Sequence, residues 1–193
     1  MDANLLEADS RFEDDALLVK VSATCVAGHN LAQELEQELG WEVVPPRVPT
    51  TLLFPQMQRQ QAENQIFLQR WVRGAQKLDS GLRATPQFVN ELDLGSLARV
   101  SLFEYLMEKP DAHDGNRVVS ITGRVWSIDH DLQWLETYYG SWLALLVHAG
   151  NRAIALKMVI GLLEEIESHK LNPRATARRE LLVSKSLTGN VLP

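Results

Sequence analysis

The stretch RVVSITGRVWSI, residues 117–128, is followed by DHDLQWLETYYGSWLALLVHA at 129–149 and by RAIALKMVIGLLEEIE at 152–167. The first stretch favours a strand, because β-branched residues recur along it with polar residues between them. The other two have the apolar spacing of helices, and Gly150-Asn151 separates them. This part of the chain therefore predicts a strand–helix–helix unit.

The predicted strand has two chemically different faces. One face carries Val119, Ile121 and Val125, and the other carries Val118, Ser120, Thr122 and Arg124. The first face is suited to packing on helices. The second offers hydroxyl groups and a guanidinium, which are groups that read base edges in DNA. We interpret it as a candidate DNA-contacting face.

The two predicted helices carry enough apolar surface to need extensive cover. The first helix has an apolar seam at Leu132, Leu135, Tyr139, Trp142 and Leu146. Asp129 and Asn151 are suitable N-caps for the two helices. The second helix is apolar on most sides, so that a larger core or a partner chain must cover it. We expect a homodimer formed through residues 129–167.

The sequence before this unit predicts one more strand and several helices. Alternation predicts a strand at 17–26, an alternative ribbon to 117–127, and Asn30 and Gly40 bracket a predicted helix at 31–39. Prolines at 45, 46, 49 and 55 predict an extended crossover. Further helices are predicted at 56–78 and within 88–109, and the composition of 110–116 is typical of a turn.

The fold class that follows is α+β and mostly helical, with the strand–helix–helix unit at the C-terminal side and an extra N-terminal strand and helices. A single domain is predicted at 16–170, between a flexible acidic arm at 1–15 and a basic tail at 171–193. The chain of 193 residues is long enough for a sizeable core, and its 45% hydrophobic content is typical of a globular protein.

Composition also limits the compartment and the classes of site. The N-terminus has no signal-peptide pattern, and the longest apolar run is far shorter than a membrane span. Cys25 is the only cysteine, which excludes an internal disulfide and a cysteine-rich metal site. We expect a cytoplasmic protein without a membrane partner. The net charge is −6, but the acidic front and the basic rear leave room for a local DNA-binding surface.

Candidate nucleic-acid contacts also lie outside the strand. Asn151 and Arg152 stand at a predicted helix start, where free amides and the helix dipole favour phosphate. The tail adds three arginines, Arg174, Arg178 and Arg179. Each candidate has an ordinary alternative, because half-exposed strands need polar residues, helix starts need caps and tails are often basic.

Two histidines lie beside carboxylates. His113 lies between Asp111 and Asp114, and His130 lies between Asp129 and Asp131. Such pairs can tune an imidazole or begin a metal site. A turn and a helix start also favour aspartate for structural reasons, and we prefer that interpretation. The sequence has no Gly-rich phosphate loop, HExxH, GxSxG or CxxC motif. We therefore expect no enzyme activity, no cofactor and no metal.

The order of strand RVVSITGRVW, helix DHDLQWLETYYGSWLALL, break HAGN and helix RAIALKMVIGLLEEI resembles that of the ribbon-helix-helix regulators. It looks most like the larger AcaB-like regulators of conjugative plasmids and integrating elements. The resemblance covers residues 117–168. It implies a bacterial, homodimeric, DNA-binding transcription regulator with paired strands in the major groove and with Arg117, Ser120, Thr122 and Arg124 facing the bases.

Three functions remain open from the sequence. The first is a sequence-specific DNA-binding regulator. The second is a non-enzymatic interaction, adaptor or chaperone-like module that uses the apolar helices and the Pro-rich segment 45–55, which the acidic pI near 5.4 favours. The third, and the least favoured, is an enzyme with His113 or His130 at its centre.

Overall fold

A computed structural model describes residues 11–21, 23–48, 50–109, 111–130 and 144–187. The fold is α+β and mostly helical, as predicted. In chain order its elements are β1 (Phe12–Lys20), α1 (Ala23–Leu39), α2 (Pro55–Ala62), β2 (Phe67–Val72), β3 (Gln76–Lys77), α3 (Leu78–Ala84), α4 (Leu94–Leu106), β4 (Arg117–Val119), β5 (Val125–Ser127), α5 (Ala144–Glu165) and α6 (Pro173–Leu187), with short 3-10 turns at 50–52, 86–91 and 114–116.

Two small antiparallel sheets are present among these elements. In the first sheet, β1 pairs with β2, and Lys20 lies opposite Phe67. The segment before α2 adds to the other edge of β2, where Val48 N donates to Leu68 O. The second sheet has the order β3-β4-β5. Because β2 and β3 are close in sequence, the chain passes from one sheet to the other within a few residues.

Helix α4 is the centre of the main core. Nine of its thirteen residues are buried, and the helix packs against α5, α6 and β5. Its N-terminus is capped by Asp93, whose carboxylate accepts from the backbone N–H groups of Gly95 and Ser96. A helix that is buried on nearly all sides has no solvent-facing stripe, so its sequence does not show an amphipathic period. The burial therefore explains why the sequence of this helix is apolar around most of the cylinder.

A second apolar cluster lies between the two sheets. Phe12 and Val72 come from the first sheet, and Val118 and Trp126 come from the second. The rings of Phe12 and Trp126 meet edge to face, with 5.4 Å between their centroids. Edge-to-face packing is favourable beyond the buried area alone. This cluster holds β1 against the β4–β5 hairpin.

Helix α5 is broken at Asn151, which has a φ of 63°. Its side-chain oxygen accepts from Ala153 N at 3.0 Å and from Ile154 N at 3.1 Å. The break and the predicted cap at Asn151 are thereby confirmed. By length and composition alone α5 could cross a membrane. A core helix has the same properties, and Ala155 and Val159 are fully buried.

The prediction of one strand over 117–127 is wrong, because this stretch is a hairpin. β4 ends at Val119 and β5 begins at Val125, and the two pair antiparallel. The chain reverses at Gly123, which has a φ of 80°. A Cβ there would lie 2.1 Å from the carbonyl oxygen of Glu91, so only glycine fits. In the sequence, Gly123 is the residue that indicates this turn.

The helix predicted at 56–78 is also wrong. Helix α2 ends at Ala62, and β2 occupies Phe67–Val72. Phe67, Leu68 and Gln69 are all fully buried. A strand covered on both faces loses its alternating pattern and is then hard to distinguish from a helix.

At the N-terminal side, β1 begins at Phe12, inside the predicted arm, and the strand predicted at 17–26 ends at Lys20. Helix α1 begins at Ala23, so that Asn30 lies within the helix and is not its cap. Gly40 does end α1, with a φ of 64°. Its backbone N–H donates to Glu36 O, as expected for a helix end.

The segment predicted as a basic tail contains helix α6. Asn172 caps it, with its side-chain oxygen accepting from Ala175 N at 2.9 Å. Pro173 therefore begins a helix, at the position where proline is best tolerated. Ala175 and Leu182 are buried against the core. The predicted seam at 132–142 and residues 188–193 lie outside the described residues.

Candidate functional site

The residues predicted to contact DNA are largely engaged within the fold. Arg117 is buried, and its Nε and Nη2 atoms donate to Glu104 Oε2 at 3.1 and 2.6 Å. Its Nη1 atom donates to Asp114 Oδ1 at 3.2 Å. An arginine held bidentately by a buried carboxylate does not face a groove. The expectation that Arg117 faces the bases is therefore wrong.

The remaining hairpin candidates lie in or beside the turn. Arg124 stacks over the Trp126 ring at 4.8 Å and donates to Trp41 O and Glu42 O. Ser120 and Thr122 share a hydrogen bond of 2.9 Å between their hydroxyls. These contacts give each side chain a local structural role.

The other candidates lie on α5 and α6. Asn151 caps the second part of α5, and Arg152 beside it is exposed. Arg174 is exposed on α6. Arg178 lies over the Tyr105 ring at 4.3 Å, and Arg179 donates to Glu167 O at 2.8 Å. The last two arginines thus attach α6 to the core.

A different group of polar residues converges at the turn between α4 and β4. Asp111 lies at the centre of this group, and its side chain is half exposed. The Oδ2 atom of Asp111 accepts from Asn116 Nδ2 at 2.7 Å, and its Oδ1 atom lies 3.1 Å from His113 Nε2. The Nδ1 atom of His113 accepts from Gly115 N at 2.9 Å. Because Nδ1 is an acceptor, the ring carries a proton on Nε2, the nitrogen that lies nearer the Asp111 carboxylate.

Asn116 is oriented by the same contacts. Its Nδ2 atom donates to the backbone oxygen of Asp111 at 3.0 Å and to the carboxylate of Asp111. With both amide hydrogens used, the side-chain oxygen is the atom left to face a cation. The turn thus combines an exposed carboxylate, an imidazole and an oriented amide oxygen.

Asp129 lies just after β5, on a segment that a backbone hydrogen bond joins to the 111–116 turn. Its backbone has a φ of 59°, a left-handed conformation that is uncommon outside glycine. The preceding residue, Ile128, donates its N–H to Asn116 O at 3.0 Å, which holds Asp129 beside the turn. Residues with strained backbone conformations are frequently found at functional sites.

Lys20, the last residue of β1, meets Asp129 from the opposite side. Its Nζ atom donates to Asp129 Oδ1. Burial alone would raise the pKa of Asp129, but the hydrogen bond and charge of Lys20, with help from Lys109, hold that pKa below its usual value. Asp129 is therefore an anion at neutral pH.

A buried ionic network lies directly beneath these residues. Glu104 of α4 has no exposed side-chain surface, and it accepts from Arg117, Lys109 and Ser127. Burial would raise the pKa of Glu104, but the charges of Arg117 and Lys109 outweigh burial and lower it. The network fixes the turn and the hairpin to α4.

His130 is the other histidine that the sequence singled out. It is buried, and its Nε2 atom lies 3.1 Å from Ser127 Oγ. Burial, and then the charge of Lys109, lower the pKa of His130 well below 6.5. A neutral imidazole enclosed by Ser127, Phe103 and His29 is a core histidine. The structural interpretation of His130 is consistent with this environment.

The donor set at the site fits a magnesium ion that bridges to phosphate. Asp111, Asn116 and Asp129 offer only oxygen atoms, which Mg²⁺ prefers. Within the described residues, no group of three or more His, Cys, Asp or Glu side chains is arranged to hold a metal by itself. Mg²⁺ is usually held by one or two carboxylates and completed by substrate phosphates. The set therefore suits a metal that arrives with a phosphorylated ligand.

Asp111 and His113 stand out in the sequence as a pair, but no pattern used to select them includes Asn116, Asp129 or Lys20. One signal was available in the spacing, because Asp111 and Asn116 are separated by four residues. That is the spacing of aspartate and asparagine in the catalytic loop of protein kinases, H-R-D-x-x-x-x-N. The contribution of Lys20 comes from a distant strand and leaves no local signal.

No protein-family model matches the chain, and the search of curated proteins finds no match.

Proposed function

We propose that this protein is a phosphotransferase of the kinase type, with its site at Lys20, Asp111, Asn116 and Asp129. The observation that carries the proposal is the arrangement of two side-chain pairs, Lys20 with Asp129 and Asn116 with Asp111, whose segments are joined by the backbone hydrogen bond from Ile128 N to Asn116 O. Protein kinases combine a strand lysine, a catalytic-loop aspartate and asparagine, and a second aspartate that follows a strand. The order of these residues along this chain is the same.

Each side chain has a role that its geometry supports. Asp111 is half exposed, and its Oδ1 atom lies 3.1 Å from His113 Nε2, so it serves as the base that takes the proton of the acceptor hydroxyl. Asn116 and Asp129 would hold a divalent cation through their oxygen atoms. Lys20 lies within reach of any phosphate bound at Asp129. A bound Mg²⁺ would supply positive charge that offsets the negative charge developing during transfer.

One feature differs from the usual kinase pattern. The strand lysine of protein kinases pairs with a glutamate of the following helix. In this chain Lys20 donates to Asp129, while Glu36 of α1 accepts from the backbone N–H groups of Glu42 and Val43. The displacement of Lys20 from Asp129 is thus a required step when a metal and phosphates bind.

The test is phosphoryl transfer from ATP labelled at the γ position, with Mg²⁺, to the protein itself, to mixed peptides and to lipid vesicles. Transfer or ATP hydrolysis that requires Mg²⁺ and is lost in Asp129→Asn supports the proposal. The matched control is Glu63→Gln, which makes the same carboxylate-to-amide change at an exposed residue in the turn after α2. Equal activity in the wild type and Asp129→Asn would contradict the proposal.

DNA binding by a homodimer remains a prediction, as does a non-enzymatic adaptor. The least favoured expectation from the sequence was an enzyme centred on His113 or His130, and the proposed site is centred on other residues. Retention on a pool of random DNA duplexes, with an affinity that falls steeply with salt, would support the regulator. Nucleotide binding without DNA retention would favour the phosphotransferase.

A further inference from the structure

Lys109, between α4 and the 111–116 turn, is a fully buried lysine. Only 1% of its side chain is exposed. Its Nζ atom lies within hydrogen-bond reach of four acceptors: Asn116 O at 3.5 Å, Ile128 O at 2.5 Å, Ser127 Oγ at 3.2 Å and Glu104 Oε1 at 3.4 Å. An ammonium has three hydrogens, so all of them are used.

Lys109 is the more weakly bound of the two cations beside Glu104. Arg117 already binds Glu104 through two nitrogens, and the contact of Lys109 with Glu104 is longer than either of those bonds. A second buried cation adds a desolvation cost that an apolar residue would avoid. The shortest bond of Lys109 goes to the carbonyl of Ile128. Its contacts with backbone are therefore the ones that need an explanation.

The two carbonyls belong to the segments that carry the proposed cation ligands. One is the carbonyl of Asn116 itself, and the other is that of Ile128, directly before Asp129. A single backbone hydrogen bond, from Ile128 N to Asn116 O, also joins these segments. Lys109 thus ties together two loops whose side chains must face one ion.

We propose that Lys109 is a positioning residue that fixes the distance between Asn116 and Asp129 and thereby sets the affinity for the divalent cation. The inference rests on the proposed function, because it takes these two residues as the cation ligands. Groups that orient metal ligands without touching the metal typically contribute ten- to a hundredfold in metal affinity. Lys109 acts on the ligands through their own backbone.

The test is Lys109→Met, which keeps the length of the side chain and removes the ammonium. The probe is Mn²⁺ with the β,γ-imido analogue of ATP, and the free Mn²⁺ is followed by electron paramagnetic resonance well below the melting temperature. We expect Mn²⁺ affinity to fall about ten- to a hundredfold. The control is Ser127→Ala, which disturbs the buried network but leaves both carbonyl contacts. It should change Mn²⁺ affinity far less than Lys109→Met does, because Ser127 contacts neither carbonyl.

Three results would overturn the inference. The first is a lower melting temperature with unchanged Mn²⁺ affinity, which is the result for a purely structural lysine. The second is tighter Mn²⁺ binding, expected if the charge of Lys109 only repels the cation. The third is a loss in Ser127→Ala equal to that in Lys109→Met.

A second variant covers the case in which Lys109→Met does not fold. Glu104→Leu, Arg117→Met and Lys109→Met together remove the whole network, and replacing buried ions by apolar residues is often neutral for stability. Weak Mn²⁺ binding in this folded triple variant supports the inference, and wild-type affinity overturns it. Absence of Mn²⁺–nucleotide binding by the wild-type protein overturns the proposed function as well. Wild-type binding that Lys109→Met leaves unchanged overturns only the role of Lys109.

Discussion

The 111–116 turn and the 117–127 hairpin are neighbours in the chain, yet they use their polar residues in opposite ways. In the hairpin, Arg117 is buried on Glu104, and Arg124 is spread over Trp126 and backbone carbonyls. In the turn, the carboxylate of Asp111 stays half exposed and is oriented by Asn116. The charged side chains of the hairpin bind within the fold, whereas the turn keeps an oriented carboxylate at the surface.

The largest expected effect is on stability, at the buried base of the hairpin. Glu104→Gln would remove the buried carboxylate that Arg117 and Lys109 share, at a cost of about 3–5 kcal/mol in the free energy of unfolding. Urea unfolding followed by circular dichroism measures this. Asp114 contacts the same arginine at the surface, so Asp114→Asn should lower the free energy of unfolding by less than about 1 kcal/mol. A similarly small loss of unfolding free energy in both variants would contradict the claim that the charges at the base of the hairpin stabilise the fold.

The turn should show the reverse behaviour. Asp111→Asn removes the proposed base, so the rate of phosphoryl transfer should fall about 100- to 10,000-fold. Because the side chain is half exposed, unfolding free energy should change by less than about 1 kcal/mol. Transfer assays and urea unfolding on the same preparation separate the two effects. An intact rate in Asp111→Asn would remove this residue from the chemistry.

A pH titration sharpens the comparison from the buried side. The pKa of His130 is lowered in the folded chain, so the unfolded chain binds more protons once pH falls below 6.5. The contribution of His130 to the free energy of unfolding is therefore fully present above pH 6.5. It is lost as the pH falls below that value, by at most about 1.4 kcal/mol per pH unit from one site. Glu104, whose pKa is also lowered, adds a second loss below 4.5. His130→Phe should remove the first phase and retain the second, as measured by urea unfolding across pH.

The smallest effect is expected at the tip of the hairpin. Ser120 and Thr122 are bonded to each other outside the core. Ser120→Ala and Thr122→Val should each change unfolding free energy by no more than about 0.5 kcal/mol and leave phosphoryl transfer unchanged. A loss of transfer in either variant would place the tip at the site and would contradict the division between turn and hairpin.

Several features of the fold are predictable because their signals are local. The α+β class, the helix end at Gly40 and the cap at Asn151 follow from residues that act within one turn of the chain. Strand β2 was not predicted, because a strand buried on both faces does not show the alternation of apolar and polar residues. The hairpin was not predicted because five β-branched residues favour a continuous strand over 117–127. Gly123 is nevertheless the residue that determines the reversal of the chain.

The candidate site was predictable only in fragments. Asp111 and His113 stood out as a pair, and the interval to Asn116 was readable from the sequence. The approach of Lys20 to Asp129 depends on β1 pairing with β2 and packing on Trp126 through Phe12. These are tertiary contacts between residues that lie far apart in the chain, and no short pattern contains them.

The most direct measurement is an isothermal titration of the protein with the β,γ-imido analogue of ATP in the presence of Mg²⁺. The account predicts saturable binding that requires Mg²⁺, is lost in Asp129→Asn and is retained in Glu63→Gln. Binding that persists in Asp129→Asn, or no binding by the wild-type protein at millimolar analogue, would contradict the claim that Lys20, Asp111, Asn116 and Asp129 form a phosphoryl-transfer site.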